Sequence, residues 1–143
     1  MTTRVERVYE IDASPEDVWR HISDDEIRAE AISFVDRYER DGEEMIWYLG
    51  LPIRALPGTV RVRTRDVERH EPTYVNFVGT ARIMDVEGEH ELTTTDTGCL
   101  VENRFVVDGH IPGVERFFKR NIDSEIDRLV TTIANRIRDE RSP

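Results

Sequence analysis

One cysteine, Cys99, and one lysine, Lys119, are all that this 143-residue chain holds of either type. A single thiol excludes an internal disulfide framework and a cage of thiolate metal ligands. The chain has only four histidines, and His70-Glu71 runs straight into Pro72, which excludes a zinc-binding His-Glu-x-x-His helix. No stretch approaches the ~20 apolar residues that a membrane-spanning helix needs. The opening MTTRVERVYE lacks the apolar centre of a signal peptide. Also missing are a Gly-x-Ser-x-Gly elbow, a phosphate-cradling glycine loop with its lysine, and a dinucleotide fingerprint. These absences point to a cytoplasmic protein with no cofactor motif, no resident metal and no membrane insertion. With no repeat, low-complexity tract or linker, residues 1–143 read as a single domain.

What is abundant is negative charge. Thirty Asp and Glu face 20 basic residues, of which all but Lys119 are arginine, for a formal charge of −10. Such a surface repels phosphate backbones and anionic bilayers, so neither nucleic acid nor membrane is an expected partner. Acidity with almost no lysine suits a halophilic protein, because salt screens self-repulsion. A GC-rich genome would also favour arginine over lysine.

Hydrophobic period places the elements. Val5–Ile11 alternates as a strand. Ser14 then suits a helix N-cap, with Pro15 at the first helical position and Glu16 and Asp17 at the positive end. Val18, Trp19 and Ile22 form that helix's apolar stripe, and Ser23-Asp24-Asp25-Glu26 opens a second short helix through about Ala31. Strands follow over Phe34–Glu39 and Glu44–Leu51, around the hairpin signal Arg40-Asp41-Gly42. Leu56-Pro57-Gly58 interrupts. Further strands are expected over Thr59–Arg69, Tyr74–Gly79, Ala81–Thr94 and Cys99–Asp108, with a turn at Thr95–Gly98. After the connector Gly109–Gly113, apolar residues from Val114 to Ile137 recur at helical spacing, a helix of ~36 Å.

Alternation sorts the candidate chemistry. Glu87, Glu89 and Glu91 share one face of their strand, so they read as a solvated outer coat rather than a metal site. His90 lies on the opposite, apolar face. It reads either as an acid/base or ligand anchor, or as a buried histidine satisfied by one neighbour. Asn103 alternates with Val101, Phe105 and Val107, and an inward amide needs a partner, which His90 supplies across neighbouring strands. Gly88 is a bulge or makes room for a ligand. Asp66 points inward with Val62 and Thr64 if no bulge intervenes. Cys99 is an inert small residue at a strand start.

The order β-α-α-β-β-β-β-β-β-α, with its long terminal helix, resembles the START/birch-pollen-allergen (SRPBCC) superfamily over roughly residues 3–138. The opening Ala13-Ser14-Pro15-Glu16-Asp17-Val18-Trp19 is similar to that superfamily's opening motif. Gly58-Thr59-Val60, Gly79, Gly88-Glu89-His90-Glu91-Leu92 and Val107–Gly113 resemble its polyketide cyclase/dehydrase branch and its carbon monoxide dehydrogenase-associated branch. The resemblance implies an α+β helix-grip fold, in which a curved seven-stranded antiparallel sheet wraps the C-terminal helix over a ligand cavity. Its expected lining is Trp47, Val62, Thr64 and Phe77, then Met84, Val86, Gly88 and His90. Asn103 and Phe105 follow from the next strand, and Phe117, Phe118, Asn121 and Ile122 from the helix. The rim is expected near Leu51–Gly58 and Gly109–Gly113.

Three functions remain open on these residues. The first is binding of a hydrophobic small molecule such as a lipid, quinone or polyketide. The second is a cyclase/dehydratase enzyme using His90 as acid/base. The third is an accessory factor for a redox-enzyme partner. For the halophilic reading, thermal unfolding should move to higher temperature between low and multimolar KCl; equal melting temperatures would contradict it.

Overall fold

The computed structural model describes residues 2–53 and 58–141. Seven strands form one antiparallel sheet in the order β1-β7-β6-β5-β4-β3-β2. The strands are β1 (Thr2–Ile11), β2 (Val35–Asp41), β3 (Glu44–Leu49), β4 (Val60–His70), β5 (Tyr74–Thr80), β6 (Met84–Thr94) and β7 (Cys99–Gly109). Helices α1 (Pro15–Ile22) and α2 (Asp25–Ala31) follow β1, and α3 (Val114–Arg141) ends the chain. This is the helix-grip α+β architecture expected above.

The local chemistry explains the boundaries. The Ser14 side chain accepts from the Asp17 amide at 3.2 Å and Pro15 opens α1. Asp24 rather than Ser23 caps α2, accepting from the Glu26 amide, whereas the Ser23 hydroxyl donates to the Trp19 carbonyl and closes α1. Between β2 and β3, Asp41 pairs with Glu44 and Gly42 takes φ +64°, a first loop position that favours glycine. The strand β1 starts at Thr2 instead of Val5, because its pairing with β7 continues to Asp108. β3 stops at Leu49, short of Leu51, and β6 starts at Met84, since residues 81–83 turn the chain and the Ala81 amide donates to the Met84 carbonyl. The interruption at Leu56-Pro57 lies outside the described residues.

Strict alternation holds on β7, where Cys99, Val101, Asn103, Phe105 and Val107 are buried. It fails on β3, where Ile46 and Tyr48 are buried on the outer face as well. Tyr48 is covered by the Arg37 guanidinium, 3.7 Å above its ring. The apolar stripe of α3 (Phe118, Ile122, Ile126, Leu129, Ile133 and Ile137 among it) lies buried in the grip of the sheet.

The core falls into two clusters. One joins β1, α1 and the C-terminal half of α3 through residues such as Ile11, Trp19, Ile22, Leu92, Val101 and Ile133. The other joins β3, β4 and the N-terminal half of α3 through Trp47, Val62, Phe77, Phe105, Phe118 and Ile122. Register shows what lies between them. Val75, His90 and Asn103 form one row across β5, β6 and β7, and the next row toward the second cluster is Phe77, Gly88 and Phe105.

Gly88 sits in unbroken register, so it is no bulge. The space left by its missing side chain holds protein, not a ligand. A Cβ there would lie 2.3 Å from Phe77 Cε1 and 2.9 Å from Phe105 Cε1. The bulge of this region is instead on β4, between Asp66 and Glu68.

Candidate functional site

A cavity of about 50 Å³ lies between the sheet and the N-terminal half of α3. Trp47 of β3, Val62 of β4, Phe77 of β5, Met84 and Val86 of β6 and Phe105 of β7 line one side. Phe118 and Ile122 of α3 close the other, with Ile32 and Phe34 from the α2–β2 connection. Among the described residues Glu125 supplies the single charged side chain of the lining. Its carboxylate accepts from the Ser33 amide at 2.6 Å and the Ser33 hydroxyl at 2.7 Å. That bond ties the α2–β2 connection to α3 across the rim.

Six expected lining residues lie elsewhere. Thr64 is buried but its hydroxyl donates to the Met45 carbonyl at 2.8 Å. Gly88 is filled by the two phenylalanine rings. Phe117 and Asn121 face an outer groove with Pro52 and Ile53. The reason is helical: consecutive residues lie about 100° apart, so Phe118 turns inward and Phe117 cannot. Asn121 donates back to the Phe117 carbonyl at 2.7 Å. Of the expected rim, Ile53 approaches Gly113, and residues 54–57 lie outside the described residues.

His90 and Asn103 are the remaining two, and the structure joins them to each other instead of to the cavity. His90 is fully buried, with its Nδ1 2.8 Å from Asn103 Oδ1. The Asn103 amide nitrogen faces the carbonyls of Arg7 and Val101, at 3.4 and 3.5 Å, so its oxygen is the atom turned to the imidazole. Nδ1 therefore donates, and Nε2 carries the lone pair. Phe77 stacks on the imidazole at 6.2 Å and Phe105 meets it edge-on at 5.6 Å, so two rings separate it from the cavity. Burial pushes its pKa down to about 3, the nearby Arg28 charge adding to the effect. A base so weak is poorly matched to proton transfer near neutrality.

Arg28 was not expected at this site. It is 2% exposed, and its Nη2 lies 2.6 Å from Asp66 Oδ1 while Nη1 donates to the Ile22 carbonyl at 2.9 Å. Asp66 faces inward, and its second oxygen takes Arg69 at 2.6 Å. The Arg28 guanidinium lies 5.1 Å from the centre of the Phe77 ring. Arg28, Asp66, His90 and Asn103 thus make a polar layer at the boundary of the two apolar clusters. The sequence signal for it was Asp66 itself, an inward carboxylate that had to find a cation.

On the outer face Glu87 is exposed as expected, whereas Glu89 and Glu91 are half-buried. Arg104 holds Glu89, Glu91 and Glu102 at 2.8, 3.0 and 3.1 Å, and Asn76 donates to Glu87 at 2.9 Å. Burial, together with the hydrogen bond it donates to Glu89, pushes the Tyr74 phenol up to about 12. Asp85, Asp108 and His110 bring metal-ligating atoms within 4.8 Å of one another. That cluster is half-buried to exposed, and the imidazole already lies 3.2 Å from Asp85. Burial raises the Cys99 thiol pKa, in keeping with an inert side chain.

With fold and cavity described, the class is clear: a helix-grip, START-like (SRPBCC) protein. The chain belongs to the polyketide cyclase / dehydrase and lipid transport family, whose pattern matches residues 2–134. A conserved protein from Geobacillus kaustophilus superposes with a TM-score of 0.73 at 18% identity, covering 96% of both chains. The Zhui aromatase/cyclase from Streptomyces gives 0.71 at 14% identity, covering 100% of both. A START superfamily protein from Mycobacterium smegmatis gives 0.71 at 13% identity, covering 95% of this chain and 97% of that one. Comparison with curated proteins finds no match. Among the described residues no helix is long and apolar enough to cross a membrane.

The buried imidazole makes stability depend on pH. Its pKa falls from an ordinary 6.5 to about 3 on folding, so the folded state binds fewer protons than the unfolded one. The stabilisation is complete above pH 6.5 and is lost as pH falls from there toward 3. Urea titrations of the wild type should lose stability between pH 7 and 5, and His90→Gln should flatten that slope. A His90→Gln slope equal to wild type would contradict the assignment.

Proposed function

We propose that the protein binds a hydrophobic small molecule, of the lipid, quinone or polyketide class, between its sheet and α3. The observation that carries this is the lining of the cavity: apolar side chains throughout, with Glu125 alone at the rim. An apolar void of this size stays dry and leaves its walls without dispersion partners on one side. An apolar ligand supplies those partners. The family description couples cyclase chemistry with lipid transport, and the similar structures include an aromatase/cyclase and a START protein. Both support an interior ligand site.

At about 50 Å³ the cavity is closed down, since pockets that enclose a small molecule measure roughly 300–1,000 Å³. Binding therefore displaces side chains. The rings at its edge are the natural ones to move, because Phe34, Phe117 and Phe118 touch each other edge-on at 5.2–5.5 Å with no polar tether. The Trp47 indole N–H, buried without a partner among the described residues, becomes a donor for a ligand oxygen. Enclosure, rather than acid/base work by His90, is the mechanism: His90 is held neutral behind two rings.

Titration calorimetry with dodecanol and its shorter homologues tests this reading. Each CH₂ removed should weaken binding by up to about fourfold, the worth of ~0.8 kcal/mol. Val62→Phe, which fills the cavity, should abolish binding while circular dichroism shows the fold retained. No saturable binding by wild type, or unchanged binding by the folded Val62→Phe protein, would overturn the proposal.

A further inference from the structure

About half of the described cations of this acidic surface meet a carboxylate. Arg20 meets Asp17 and Glu140, Arg40 meets Asp25, Arg63 meets Asp41 and Glu44, and Arg104 meets three glutamates. Others have no carboxylate at ion-pair distance among the described residues, Arg4, Arg61, Arg65 and Arg82 among them, and three such cations stand together on one helix. Arg116, Lys119 and Arg120 crowd two turns of α3, all exposed, and none has a carboxylate partner among the described residues.

The placement of Arg116 is unfavourable twice over. Residues three and four apart on a helix are neighbours, so Arg116 faces the like charges of Lys119 and Arg120, whereas Lys119 has Glu115 and Asp123 one turn to either side and Arg120 has Asp123. Arg116 also stands in the first turn, where the helix macrodipole is already positive. Elsewhere the chain obeys the rule: Arg20 closes α1, and Arg138 and Arg141 close α3. In a chain with 30 acidic residues, carboxylates to relieve the cluster are not scarce. A bound anion would relieve both penalties.

The surroundings say where that anion sits. Arg116 and Arg120 border an open groove of about 530 Å³, with Pro52 and Ile53 on one side and Pro112 at its end. None of the described residues lining this groove is acidic. Its floor includes Phe117, which packs edge-on against Phe34 at 5.3 Å and Phe118 at 5.2 Å. Phe34 and Phe118 are themselves cavity walls. One layer of aromatic rings therefore separates the paired guanidiniums from the apolar interior.

We propose that Arg116 and Arg120 bind the anionic group of an amphiphile, a carboxylate or phosphate, whose apolar part passes the Phe117 ring into the cavity. This rests on the binding function proposed above and names the class of its ligand. The guanidinium pair makes charge-assisted hydrogen bonds in the groove, and the interior takes the chain.

The test compares dodecanoate with dodecanol, on wild type and on Arg116→Gln/Arg120→Gln. Wild type should bind dodecanoate about tenfold more tightly than dodecanol, the size expected of hydrogen bonds to charged groups. Added salt should erode that preference. The double variant should bind the two probes equally, keep the wild-type affinity for dodecanol, and melt no lower than wild type when unliganded. Equal binding of the two probes by wild type, or a preference that survives in the variant, would overturn the proposal while leaving interior binding intact. Failure of both probes would overturn interior binding and this inference with it. Mixed phosphatidylcholine/phosphatidylglycerol vesicles form the last arm. Sedimentation with them that needs Arg116 and Arg120, without preference for free dodecanoate, would assign the cations to a membrane surface and overturn the proposal.

Discussion

The apolar stripe of α3 is the constraint on which the rest of the structure depends. A 28-residue helix is ~42 Å long, and two short helices cannot cover its buried face. A seven-stranded antiparallel sheet can, provided it curves around the helix. Pairing of β1 with β7 closes the chain's first and last strands side by side and sets the sheet order. The short helices α1 and α2 then cap one flank, held to β4 by Arg28, which pairs with Asp66, and by Arg69, which donates to the Ser23 carbonyl at the end of α1.

Burying that stripe does not produce a uniform interior. The layer of Arg28, Asp66, His90 and Asn103 stands where one apolar cluster gives way to the other. A buried ion pair adds little net stability, because desolvation offsets most of its attraction, and its loss on one side is costly. Its effect is to fix register, since only one alignment of β4 and α2 pairs Asp66 with Arg28. Beyond the layer lie the Trp47, Phe77, Phe105 and Phe118 walls, where the packing leaves a void. At the edge of that void the Phe34, Phe117 and Phe118 rings meet one another edge-on, while the backbone beside Phe34 is tied to α3 through Ser33 and Glu125.

Much of this was legible in the sequence where a period ran long enough. The β7 alternation, the α3 stripe and the Ser14-Pro15 helix start each need only local chemistry. The pairing of His90 with Asn103 followed from two inward polar residues on neighbouring strands. What the sequence hid was three-dimensional. Arg28 lies on a seven-residue helix, too short for its buried face to show a period. Phe117 and Phe118 are adjacent in sequence, and only helix rotation decides which one enters the core. Gly88 looked like vacant space, but the rings of Phe77 and Phe105 from both neighbouring strands converge on it. Glu89 and Glu91 looked merely solvated because Arg104, which clamps them, sits on a different strand.

Methyl-resolved NMR during titration with dodecanol tests the central claim most directly. Ligand enclosure between sheet and helix should shift the methyl signals of Val62, Met84, Ile122 and Ile126 saturably, while those of Ile11, Ile22, Ile133 and Ile137 beyond the polar layer stay in place. Unmoved signals in the first set, or shifts confined to the second, would contradict the account.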